Sequence, residues 1–100
     1  MEHSQTIEQM ESYLNSAQEA LTNLAHSLDE LQKIQPNIAA LTAYHGSDEW
    51  FQARDLALNN ALPKELRHGV LTEDLTYNLL SDHHELAIRM IEIAAESLKI

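Results

Sequence analysis

Apolar residues recur at alternating steps of three and four along the first third of the chain: Ile7, Met10, Leu14, Ala17, Leu21, Leu24, Leu28 and Leu31. In a heptad lettered a to g, Ile7, Leu14, Leu21 and Leu28 fill a, while Met10, Ala17, Leu24 and Leu31 fill d. A pleated strand sends alternate residues to opposite faces and has no use for this spacing. The pattern predicts a long helix with one side to bury. Beside the stripe, Glu11, Gln18, Ala25 and Gln32 occupy e, and Tyr13, Ala20, Ser27 and Ile34 occupy g. Small, neutral flanks make a wide face, suited to covering by more than one helix. Cover by later helices of the same chain is the expectation, with a second copy as the alternative.

The first helix is expected over about 5–44, with Thr6 and Gln9 at capping-box spacing near its start. Pro36 removes an amide donor and disfavours helical geometry at Gln35. Ile38 nevertheless lies seven residues beyond Leu31, and Leu41 seven beyond Ile34, so the apolar phase survives the proline. The expectation is a kink at Gln35–Pro36, or a break with immediate restart. Gly46 is suited to a left-handed stop.

A second helix is expected over about 48–60, opened by Ser47 as hydroxyl cap and by Asp48 and Glu49, whose charge the helix dipole favours. Trp50, Ala53 and Ala57 line one side; Phe51, Leu58 and Leu62 line the next. Pro63 predicts a short helical turn over about 63–67, stopped by Gly69. Thr72, followed by Glu73 and Asp74, repeats the hydroxyl-cap pattern before a third helix over about 73–99. Its main buried row is read as Leu75, Leu79, Leu86, Met90 and Ile93, widened by Leu80, Ala87, Ile91, Ala94 and Leu98. The fold class is therefore all-α: a single-domain antiparallel bundle of three main helices, the first long and kinked.

Composition narrows the picture. With 100 residues and 44% hydrophobic positions but only 5% aromatic ones, the core must come from Leu, Ile and Ala. Two glycines and two prolines leave little material for the tight connections of an all-β fold. The absence of cysteine removes disulfides, thiolate metal sites and a Cys nucleophile. The opening residues lack the basic and apolar regions of a signal peptide, and no run of eighteen apolar residues exists, so the expected location is cytoplasmic with no membrane contact. Sixteen acidic against six basic residues give a net charge of −10, split evenly between residues 1–46 and 47–100. Such a surface repels nucleic acid and complements a basic protein partner.

Two stretches carry a resemblance. Tyr44-His45-Gly46-Ser47-Asp48-Glu49-Trp50 and Gly69-Val70-Leu71-Thr72-Glu73-Asp74 resemble a family of short bacterial proteins described only as a domain of unknown function. That family has an aromatic–Ser–Trp segment followed by a Gly-Val-Leu-Ser-Glu-Asp turn into its last helix. Thr72 stands where the family usually has Ser, and Ala53 where it has an acidic residue. The resemblance is best over about 44–86; it implies a small helical cytoplasmic protein and brings no reaction with it.

Candidate chemistry is sparse. His83 and His84 sit in an Asp-His-His-Glu run, but adjacent residues on a helix diverge by about 100° and cannot share a metal face. A site would need His45 or His68 brought in from a connection; otherwise both are polar residues of a solvated face, with His83 at the edge of the apolar row. Asp48, Glu49, Glu73 and Asp74 are explained as first-turn charges, and no base is placed near Ser47 or Thr72. Trp50 reads either as a plug at a helix corner or as a partner-binding anchor with Tyr44, Phe51, Arg67 and His68. The leading functional expectation is a non-catalytic, acidic protein-interaction module, monomeric or homodimeric, without a cofactor. Its specific form is an immunity- or antitoxin-like partner of a basic protein. The alternative is a metal or small-ligand binder using His83, His84 and nearby carboxylates. An enzyme ranks last.

Overall fold

A computed structural model of the chain describes residues 2–100. The fold is all-α. Among the described residues there are three helices, α1 (Glu2–Tyr44), α2 (Asp48–Leu58) and α3 (Glu73–Ser97); residues 45–47 join the first two, and the longer stretch 59–72, which holds a 3-10 turn at Gly69–Leu71, joins the last two. The chain divides into two compact units, Met1–Pro36 and Asn37–Ile100.

The first unit is helical throughout its described residues and belongs to α1 alone. The helix begins at Glu2, which puts Thr6 in its second turn. Its hydroxyl donates back to the Glu2 carbonyl at 3.1 Å, and the Gln9 amide donates to the Tyr13 hydroxyl at 2.7 Å. The expected Thr6–Gln9 capping box is therefore absent, because the chain has already entered the helix when it reaches Thr6. Pro36 lies inside α1, which continues without interruption to Tyr44; there is no break and restart. A single helix offers its own side chains nothing to pack against. Ile7, Met10, Leu14, Leu21, Leu24 and Leu28 are all exposed, from 44% at Leu28 to 64% at Leu21.

The second unit holds every buried residue among those described: Ile38 at the end of α1, Trp50 in α2, Leu71 in the 3-10 turn and Thr76 in α3. Gly46 ends α1 with φ +76°, the left-handed geometry in which glycine carries no Cβ penalty. Ser47 then caps α2 as expected, its Oγ accepting from the Trp50 amide at 3.2 Å. The helix stops at Leu58, two residues before the expected end, because Asn60 adopts a left-handed φ of 55°. The helical turn expected at 63–67 is replaced by a single reverse turn, in which the Leu66 amide donates to the Pro63 carbonyl at 3.1 Å. Gly69 opens the 3-10 turn instead of stopping a helix.

Two further expectations change in this unit. Thr72 occupies the N-cap position of α3 with extended backbone, yet its hydroxyl does not cap. It donates backwards to the Gly69 carbonyl at 2.7 Å, closing the 3-10 turn instead of opening the helix. The shielded side of α3 keeps Leu80, Ala87 and Met90 of the expected face but turns from its other members towards Thr76 and His83. Leu75, Leu79, Leu86 and Ile93 are exposed, whereas buried Thr76 is followed by half-buried Leu80, His83, Ala87 and Met90. Those five again keep steps of four and three, so the face is helical and only its rotation differs.

Candidate functional site

Trp50 organises the second unit. The Ser47 cap fixes the first turn of α2, and that turn sends the indole inward, where it is 2% exposed. Its Nε1 donates to the Val70 carbonyl at 2.9 Å, so the polar end of the ring is satisfied by the backbone of the 3-10 turn. His45 and Phe51 meet the ring edge-to-face at centroid distances of 5.2 and 4.9 Å. Arg54, one helical turn after Trp50, lies 5.3 Å from the ring centroid and donates through Nη1 to Glu73 Oε1 at 2.8 Å. One indole thereby joins the α1–α2 corner to the turn that starts α3. The two stretches that carried the family resemblance meet here.

Two open clefts flank this corner. One, of about 400 Å³, is lined by Arg54, Ala57, Leu58, His68, Leu71, Thr72, Glu73 and Asp74. The other, of about 340 Å³, is lined by His45, Gly46, Trp50, Phe51, Glu73, Asp74 and Tyr77. Arg54 and Glu73 already engage each other, and Thr72 is bonded to Gly69, so the groups at the first cleft are largely occupied in holding the corner. The Nδ1 atom of His45 is buried and has no hydrogen-bond partner among the described residues.

The candidates named from the sequence fare differently. Trp50 is the corner plug, and its burial removes it from the set of exposed anchors. Tyr44 is half-buried, Phe51 is exposed, and Arg67 and His68 lie exposed in the loop before the 3-10 turn, with His68 on the first cleft. His83 is half-buried and His84 exposed on α3. Among the described residues no three or more His, Asp or Glu side chains are grouped to hold a metal ion, so these two histidines gain no third ligand. Sequence reasoning missed Arg54 and the Val70 carbonyl. Arg54 was within reach of it, since a Trp followed four positions later by an Arg on one helix places the guanidinium beside the ring. The carbonyl carried no such signal.

No helix among the described residues is long and apolar enough to cross a membrane. The model of a family described as a domain of unknown function (DUF4298) matches residues 7–93. No curated protein and no solved structure matches the chain.

Proposed function

The chain belongs to the DUF4298 family of domains of unknown function, and from that premise we propose that it is a non-catalytic protein-interaction module of the bacterial cytoplasm whose acidic surface engages a basic protein. The observation that carries this reading is the division of α1 into two sides. Its apolar stripe is exposed from Ile7 to Leu28, and of the acids in residues 2–36 only Glu11 stands beside that stripe. Glu2, Glu8, Glu19, Asp29 and Glu30 fall at the b, c and f positions on the other side, with Lys33 the one base among residues 2–36. Such a side attracts a cationic surface and speeds its association, increasingly so at low ionic strength. An immunity- or antitoxin-like role fits this chemistry.

The test begins with capture from a lysate of the native host at low salt, followed by binding of the captured protein, purified, to the purified chain. The expected partner is basic and binds stoichiometrically. Its affinity falls steeply towards about 0.5 M NaCl, where the screening length shrinks to a few ångströms. Affinity also falls when Glu8, Glu19, Asp29 and Glu30 are replaced by their amides. A partner that is indifferent to both salt and these substitutions would sink the reading.

A further inference from the structure

We propose that the stripe on α1 is a homodimer seam, along which two copies of the chain pack their Ile7–Ile34 segments in antiparallel register. This rests on the interaction reading and adds what covers the apolar side while the acidic side meets a partner.

The charge pattern selects the occupant. Among the sixteen a, d, e and g positions from Ile7 to Ile34, Glu11 is the only charged residue, in a chain of net charge −10. A seam built for a basic helix would place acids at e and g, where coiled-coil partners are chosen. This seam instead selects a neutral apolar face, and the chain carries such a face itself. Two copies meeting there keep their remaining acids pointed outward, so the repulsion between them is solvent-exposed and screened by salt.

The area is sufficient. Covering a large aliphatic side chain removes on the order of 100 Å² from water, so the seven large residues of the stripe with Tyr13 and Ile34 supply roughly 800 Å² per copy. A stable interface of standard size needs about the same from each partner. The need is also present: a lone helix in water is marginal, and amphipathic helices draw their stability from covering the apolar face.

The register follows from the one small residue in the stripe. In a parallel pair Ala17 would face Ala17 of the second copy and leave a void. An antiparallel pair centred on Glu19 sets Ala17 against Leu21 of the second copy and Leu14 against its Leu24. It also separates the two Glu11 carboxylates by about 24 Å along the seam.

Sedimentation equilibrium of the purified full chain at tens of micromolar should give twice the 11.3 kDa chain mass. Association should tighten with added salt, opposite to the salt response of a basic partner. The double variant Leu14→Glu/Leu21→Glu should dissociate at least about a hundredfold more readily, since each copy would bury unpaired charge. Unchanged Trp50 emission would show that its second unit remains folded. Oxidation of an equimolar mixture of Leu14→Cys and Leu24→Cys chains should give mainly the mixed disulfide. A wild-type mass of one chain, an assembly larger than two, or a double variant that stays dimeric overturns the seam; self-disulfides alone overturn its register. A monomer that still binds a basic partner in a salt-sensitive way sinks the dimer only. A dimer that binds none sinks the interaction reading only.

Discussion

Among the described residues, only one of the two units of this chain buries any of its apolar side chains. In residues 37–100 a few side chains are buried almost completely around one indole, and the polar groups at the corner divide the bonding between them. Ser47 caps, Val70 accepts, and Arg54 bridges the ring to Glu73. In residues 2–36 the apolar side chains are more regularly spaced, and the stripe from Ile7 to Leu28 stays exposed. Regular heptad spacing is thus no guarantee of burial within a chain. A stripe needs a facing surface, and one helix by itself has none. The irregular corner folds because its parts come from different elements and close on each other through side-chain and backbone bonds as well as apolar contact.

Substituting Trp50 by Ala should have the largest effect. It removes the only fully buried large side chain among the described residues and orphans the Val70 carbonyl, a loss of about 3–5 kcal/mol against a total margin of about 5–15. Urea titration followed by helical circular dichroism measures it; a loss under about 1 kcal/mol would break the contrast between the units. A smaller effect sharpens the contrast inside the corner. Ser47→Ala should lose about 1 kcal/mol as a true cap is removed, whereas Thr72→Ala, which deletes only a turn-closing bond, should lose about half of that. Equal losses would mean that the two hydroxyls act alike. The smallest effect belongs to the first unit. Leu24→Ala, studied too dilute for association and read by Trp50 emission, should shift unfolding of the second unit by less than about 0.5 kcal/mol.

Much of the local structure was legible in the residues. The spacing from Ile7 to Leu31 specified a helix, and the persistence of its phase past Pro36 anticipated that α1 runs on to Tyr44. Ser47 with its two following acids announced the start of α2, and Gly46 announced the stop before it, because both depend on the backbone within a few residues. Thr72 shows where this kind of legibility ends. By local chemistry it matched Ser47, yet its hydroxyl turned to Gly69 because the chain arrives from a 3-10 turn held beneath Trp50. The same turn sets the rotation at which α3 begins, so the covered face runs through Thr76, Leu80 and His83 and not through Leu75 and Leu79. Periodicity reports that a helix has a face; it is much weaker at choosing between faces one residue apart when both are largely apolar.

By itself, then, the sequence determined the helical class, the capped start of α2 at Ser47, and the separation of acids from the stripe on α1, all of which follow from spacing and short-range backbone chemistry. Only the tertiary structure decided that Trp50 faces inward to the Val70 carbonyl, that Arg54 reaches both the ring and Glu73, and which side of α3 is covered. The Trp50–Val70 and Arg54–Glu73 contacts join residues about twenty positions apart, and neither a backbone carbonyl nor a helix rotation leaves a mark in the order of side chains.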